Sequence, residues 1–364
     1  MIVGAKYAML FRRLLMWPAT VLYGTVLRVR HALYDAGVLR SVRPEVSTIA
    51  IGNLALGGTG KTPMLELVLR TLEEDGPVAT LSRGYGRRTS DIHEVDPDDT
   101  AARSGDEPVQ VKRNFPAARV FVGADRVKAI AVIQRTVPEV RAVVLDDALQ
   151  HRPLNAGLNI LLTTAQRPYH DDALLPAGTL RDLRSRARKA HLVVVTKCVD
   201  LPDETERAAW RKRLGSSSEQ ELFFAGIGYA DPHPLEPALQ LPPSGQGTSA
   251  LVFTGIADPK PFVMHVHSRF GMVEHIAFAD HHTFTSADLQ RLADRYANFA
   301  AGPKLLITTE KDAARLSSSI AGSPLNGLPI GVIGMRTVIL NGPERFADLI
   351  RHHVSTHRTH RRSP

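Results

Sequence analysis

The chain reads as an α/β protein, with a P-loop NTPase-like domain built on a mostly parallel sheet and a second, smaller α/β domain. Three observations predict this. The apolar run Thr48-Ile49-Ala50-Ile51 leads through Gly57-Gly58-Thr59-Gly60-Lys61-Thr62 into the helix-like run Met64–Leu69, the strand, glycine-rich turn, Lys-Thr and helix of a phosphate-binding loop. The buried-looking run Ala142-Val143-Val144-Leu145 ends in the paired carboxylates Asp146-Asp147, as a Walker B strand does. Short apolar runs then recur between helical stretches along the chain, the rhythm of βαβ units.

Length and composition set the frame. At 364 residues the chain is long enough for two domains with sizeable cores. A net charge of +8 and a pI near 9.7 favour anionic partners, whether nucleotide phosphates, acidic lipid headgroups or nucleic acid. A lone cysteine, Cys198, excludes an intramolecular disulfide and suits a reducing compartment. No apolar run is long enough to span a bilayer comfortably.

Residues 1–45 come first. Leu14–Leu27 is apolar, with Arg12 and Arg13 before it, Arg28 and Arg30 after it, and Trp17 and Tyr23 within it. Two arrangements fit: a membrane-surface or partly inserted amphipathic helix, or an N-terminal helix packed on the core. Pro18 and Gly24 should interrupt either one.

In the P-loop, Gly57, Gly58 and Gly60 let successive backbone N–H groups face one anion, next to Thr59 and the positive end of the following helix. Lys61 is placed to reach the β- and γ-phosphates of a nucleotide, and the Thr62 hydroxyl to hold Mg2+. The strict pattern has glycine at position 55, where this chain has Ala55, so the turn must open in a conformation that alanine accepts.

After the P-loop helix, Val78–Leu81 reads as a strand, followed by the basic loop Ser82-Arg83-Gly84-Tyr85-Gly86-Arg87. That loop suits a second phosphate contact or a solvated turn. Residues 89–105 are a polar surface loop. Asp106 and Glu107 then open a helix, where carboxylates also serve as plain caps. Val120–Val122 is a strand, with Asp125 and Arg126 at the next helix start. Gln150 and His151 lie just beyond the carboxylate pair and can face the same cleft. Asn159–Leu162 and His191–Val195 read as strands, with the basic segment around Arg181–Lys189 between them. Thr196-Lys197 sits where GTPases read guanine, but Asp200 is one residue too far, so guanine specificity is not inferred.

From about residue 227, prolines mark a connection to the second α/β segment. Its strands are Ala250–Phe253, Val273–Phe278 and Leu305–Thr309. Asp280-His281-His282 suggests metal or acid–base work but lacks the separated partners of a zinc site. The tail from Arg351 reads as mobile and basic.

Taken together, Gly52-Asn53 with Gly57–Pro63, Ser82–Arg87, Gly105–Pro108, Asp146–His151, Leu175–Arg181, Asp280–His282 and Thr308–Asp312 resemble the tetraacyldisaccharide 4′-kinases, the lipid A pathway kinases of Gram-negative bacteria. The motifs occur in that family's order from about residue 48 to 316. The resemblance implies an N-terminal membrane-associating segment at 1–45, a kinase domain at 46–226, a second domain at 227–349 completing the cleft, and a basic tail at 350–364. It implies ATP-dependent phosphorylation of the 4′-hydroxyl of an acylated disaccharide 1-phosphate at the cytoplasmic face of the inner membrane, with ATP and Mg2+ as cofactors. By motif position, Asp106 would be the base and His281 its partner. Lys61 and Thr62 would hold phosphate and metal, and Asp146 and Asp147 would lie at the metal. Tyr85, Gln150, His151 and Arg181 would line the cleft. Asp182 stands where the family usually has Glu, with a carboxylate one methylene shorter. An acylated substrate must be met at the membrane, which favours the membrane reading of 1–45. The competing readings are a membrane-bound P-loop switch, which would carry an early signature lysine absent from 56–59, and a nucleic-acid-binding ATPase. The latter rests on charge alone, with 6% aromatic residues and no basic–aromatic pattern, so no nucleic-acid partner is expected.

Overall fold

The computed structural model describes residues 2–256, 258–280, 282–316 and 320–359. His281 therefore lies outside the described residues, as does the tail beyond Thr359. The chain forms two compact units, one made of residues 1–227 with 337–364 and the other of 228–336.

The first unit begins with helix α1 (Ile2–Asp35) and strand β1 (Ser47–Asn53), followed by α2 (Lys61–Leu72), β2 (Val78–Ser82), β3 (His93–Glu94), α3 (Ala101–Ser104) and α4 (Asp106–Asn114). It continues through β4 (Arg119–Val122), α5 (Arg126–Thr136), β5 (Ala142–Asp146), β6 (Leu158–Thr164), β7 (Leu192–Thr196), α6 (Glu204–Leu214) and β8 (Glu221–Tyr229). The second unit holds β9 (His233–Pro234), β10 (Ser249–Thr254), α7 (Lys260–Arg269), β11 (Val273–Ala277), α8 (Ser286–Phe299), β12 (Lys304–Thr309), α9 (Glu310–Leu316) and β13 (Ile330–Ile333). Strand β14 (Met335–Ile339) and helix α10 (Pro343–Thr359) close the chain.

The larger sheet runs β14-β8-β7-β6-β1-β5-β2-β4-β3. Its pairings from β4 across to β8 are parallel, and the short β3 joins β4 antiparallel. Parallel strands covered on both faces need apolar side chains at every position rather than at alternate ones. Every residue of β1 and β5 is accordingly buried. Ile49, Ile51 and Val144 pack under Met64, Val68 and Leu72 of α2 and Phe346, Ile350 and Val354 of α10. Ala50, Val143 and Leu145 face the other way, onto Ala129, Ile130 and Ile133 of α5. The smaller sheet, β11-β10-β12-β13-β9, is parallel apart from β9.

Three expectations are corrected. α1 is one continuous helix through Pro18 and Gly24. A proline removes a single backbone donor, and Gly24 serves close packing, since a Cβ there would come within 3.1 Å of Leu174 Cδ1. The tail from Arg351 is not loose up to Thr359, because it forms the last turns of α10, whose apolar face is buried. The second compact unit ends at Arg336 rather than 349, because β14 joins the large sheet beside β8 and α10 packs on its core. No helix among the described residues is long and apolar enough to cross a membrane.

Candidate active site

The carboxyl ends of parallel strands leave a crevice where ligands bind in open α/β sheets, and the chemistry-bearing residues gather there. β1 ends at Asn53, and the loop to α2 turns through Gly57 (φ 111°) and Gly60 (φ 86°), in conformations that suit glycine. Nothing lies within 4 Å of a Cβ built at Gly57, Gly58 or Gly60, so their backbone borders open space, as a phosphate cradle requires. The loop's entry is fixed from one side. Ala55 bridges Leu180 antiparallel, Leu56 N donates to Thr179 O at 2.8 Å and Arg181 N donates to Leu54 O at 2.8 Å. This extended pairing is why alanine serves where the strict motif has glycine. The exit is tied by the Thr196 hydroxyl, which donates to Thr59 O at 2.8 Å. The Thr59 hydroxyl itself is buried without a partner. Lys61 and Thr62 open α2, both half-buried.

Asp146 ends β5 and is buried. Burial pushes its carboxyl up to about 7, reinforced by Glu107 and Asp147 and opposed by Lys61 and Arg126. Its Oδ1 is buried with no hydrogen-bond partner. Asp147 follows with φ 49°. Burial pushes its carboxyl up, but the Arg181 guanidinium bonded to it outweighs burial and holds it below the ordinary carboxylate range. That bond is a two-pronged fork, with one guanidinium nitrogen on Asp147 Oδ2 at 2.7 Å and the other on Oδ1. Arg181 also donates to Asn53 Oδ1 at 2.6 Å, and the Gln150 amide donates to Asn53 O at 2.8 Å. One network thus joins the ends of β1 and β5 to the Arg181 segment. His151 is half-buried, and burial together with Arg126 lowers its pKa, so it is neutral at pH 7.

Two residues with no role in the sequence reading belong here. Arg126 is 3% exposed, and its guanidinium donates to Asp146 O at 3.2 Å and to Gly123 O. Its signal was an arginine directly after a capping aspartate at a strand-to-helix turn. Glu107 lines one small cavity with Thr62, Ser82, Thr80 and Asp146, whereas Asp106 beside it does not. Both carboxylates start α4 and are exposed. Their turn depends on Gly105, at φ 94° and ψ 151°, a region open essentially only to glycine. A Cβ there would lie 3.1 Å from Gly84 Cα and 3.1 Å from Tyr85 O. The Gly84-Tyr85 loop and the Asp106 turn therefore touch backbone to backbone, while the Tyr85 side chain is 93% exposed.

The arrangement fits a divalent cation. Asp146 holds an unpartnered buried oxygen and a raised pKa, which a metal charge would relieve. Among the described residues no three His, Cys, Asp or Glu side chains converge into a ready-made cage. Mg2+ needs none, since it takes one or two carboxylates and fills the rest with water and phosphate oxygens. Asp182, by contrast, is 1% exposed and bonded to His31 Nε2 at 2.6 Å and Leu183 N at 2.7 Å. It anchors α1. In the second unit His282 pairs with Asp288 at 3.0 Å and stacks on Phe278, and Asp312 is fully buried, accepting from Gly255 N and the Thr309 hydroxyl. Both are structural supports of their loops.

Known proteins resemble this chain over most of its length. The family model described as Tetraacyldisaccharide-1-P 4'-kinase matches residues 12–355. A protein named Tetraacyldisaccharide 4'-kinase from Parabacteroides distasonis is 38% identical over 355 residues, covering 94% of this chain and 95% of that protein. One of the same name from Flavobacterium johnsoniae is 38% identical over 335 residues, covering 92% and 95%. In fold, the chain is similar to LpxK from Aquifex aeolicus, solved in complex with ATP. The TM-score is 0.66 at 24% identity, over 94% of this chain and 99% of that one. With a match across nearly its whole length, the chain belongs to the tetraacyldisaccharide-1-P 4'-kinase family.

Proposed function

We propose that this kinase transfers the γ-phosphate of ATP to the 4′-hydroxyl of a tetraacyldisaccharide 1-phosphate in lipid A biosynthesis, at the cytoplasmic face of the inner membrane. One observation carries the reading: in a chain of this family, an open glycine cradle and a carboxylate set centred on Asp146 share one sheet edge. Phosphoryl transfer asks mainly for positioning and charge neutralisation. The P-loop amides and Lys61 bind the phosphate chain. Thr62, Asp146 and Glu107 would hold Mg2+, which neutralises phosphate charge when bound. Arg181 orients Asp147 through its fork and ties it to Asn53. Asp106, exposed beside the Tyr85 loop, takes the proton of the acceptor hydroxyl.

The lipid is met at the membrane through α1. Leu15, Leu22, Val26, Val29 and Leu33 are exposed and recur at spacings of seven, four, three and four. That puts them on one stripe of the helix. Leu27 and His31 are buried on the opposite side. An apolar stripe of this kind lies in the headgroup–acyl boundary.

The test is transfer of radiolabelled γ-phosphate to tetraacyldisaccharide 1-phosphate in detergent, with wild type beside Asp106→Ala. Lipid labelling that collapses in the variant supports both the reaction and the base. Labelling that survives keeps the kinase and removes the base. ATP hydrolysis without lipid product, from folded protein, overturns the reading in favour of an ATP-driven switch.

A further inference from the structure

A second polar cavity, of about 510 Å3, lies in the first unit under the end of α1, between the 148–157 loop and the segment from Asp182 to His191. None of the nucleotide-site residues Lys61, Thr62, Asp106, Asp146 or Arg181 lines it. Its walls carry four permanent cations, Arg43, Arg152, Arg186 and Lys189, against two carboxylates, Asp35 and Asp182. Asp182 is already engaged by His31. Asp35, half-exposed, is then the carboxylate that touches two arginines, while Asp182 acts on Arg186 through its charge. Arg152 donates to Asp35 Oδ1 at 2.7 Å, and Arg186 stands 3.8 Å from Asp35 Oδ2.

The cations are under-satisfied. The side chains of Arg152 and Arg186 are each only 13% exposed. Arg152 Nε is buried with no partner. Burial and the neighbouring Arg152 charge together lower the pKa of Arg186. Arg43 and Lys189 are exposed, and the Lys189 charge acts on the same Asp35 that the two arginines share. His191 accepts from Asn159 N at 2.9 Å through Nδ1, which leaves its Nε2 as a donor. Holding like charges together in a partly desolvated cavity is unfavourable unless an anion enters.

We infer that this cavity is a phosphate-binding site separate from the ATP site, with Arg152, Arg186, Lys189 and Arg43 as its ligands. Arginine forks match the tetrahedral oxygens of a phosphate, and lysine adds a point charge. The volume accommodates a phosphate with a small polar group attached, such as a glycerol phosphate. That chemistry has two sources, a soluble phosphorylated molecule or the headgroup of an anionic phospholipid.

The experiment keeps the P-loop saturated with a non-hydrolysable ATP analogue and Mg2+. One arm titrates inorganic pyrophosphate and glycerol 3-phosphate by calorimetry. The other measures co-sedimentation with phosphatidylglycerol vesicles against phosphatidylcholine vesicles. Both arms use wild type and the double variant Arg43→Gln/Lys189→Gln, whose sites are exposed and leave the core intact. Arg186→Gln serves as a third protein, with its circular dichroism and melting temperature checked. A soluble ligand gives saturable binding that weakens roughly tenfold or more in the variants, since a charged hydrogen bond is lost at each position. A headgroup gives instead a preference for phosphatidylglycerol over phosphatidylcholine that the variants abolish, while binding driven by the apolar stripe of α1 persists on both vesicles. Either result supports the site. Absence of both, or binding unchanged in folded variants, overturns it.

Discussion

At the scale of single residues, Asp146 carries the sharpest consequence. Its folded pKa, about 7, lies above that of an unfolded aspartate, so the folded state holds its proton over a range where the unfolded state has lost it. Stability from this group is present at low pH and is lost as pH rises towards 7. In cation-free protein, Asp146→Asn is therefore expected to raise the melting temperature at pH 8 relative to wild type, and to change it little at pH 4. Saturating Mg2+ should remove the advantage. The same variant should lose nearly all lipid phosphorylation. A second test concerns Gly105. Alanine there meets a glycine-only backbone region and the Gly84 backbone, at a cost of about 1–3 kcal/mol. Urea unfolding measures that cost, and kcat should fall with it, because the turn presents Asp106 and Glu107.

At the scale of elements, α1 and α10 show how distant segments brace the site. α1 is fastened by the buried His31–Asp182 pair and by the Tyr23 hydroxyl, which donates to Arg181 O at 2.8 Å. Removing one member of a buried pair strands the other, typically at about 3–5 kcal/mol. Asp182→Ala should release α1, read as faster limited proteolysis between residues 15 and 35. Because Arg181 is held from the same segment, activity should drop as well. α10 buries Phe346, Ile350 and Val354 on the sheet. At roughly 1.5–3 kcal/mol per fully buried side chain, their loss rivals the net stability of a domain. A chain ending at Asn341 is expected to be insoluble or unfolded by circular dichroism.

For the whole molecule, pH acts through packing far from the chemistry. His353 sits on Thr48 O at 3.3 Å and is pushed down to about 4 by burial, despite that backbone bond. An unfolded histidine takes up its proton near pH 6.5, whereas this one stays neutral. Stability is thus lost as pH falls from about 6.5 to about 4, by on the order of 2 kcal/mol. His353→Asn should flatten the acid side of the stability profile, measured by urea midpoints between pH 4 and 7.

Much of this was legible in the sequence, because some signals are local. A strand, a glycine turn and Lys-Thr form one contiguous stretch, and continuous apolar runs such as Val143–Leu145 predict parallel strands buried on both faces. The Asp146-Asp147 pair, the turn before α4 and the family resemblance all rest on short stretches of this kind. What the tertiary structure decided depends on which residues meet across large sequence separations. Glu107 rather than Asp106 shares a cavity with Asp146, Arg126 lies beneath Asp146, Ala55 is held extended by Leu180, and Asp182 anchors a helix. The same holds for the charge around Asp35, where Arg152 and Arg186 converge from separate loops onto one carboxylate. Sequence spacing reports the period and the turn of an element. Burial, shared counter-charges and pKa shifts arise only when separate elements close on one another and exclude water.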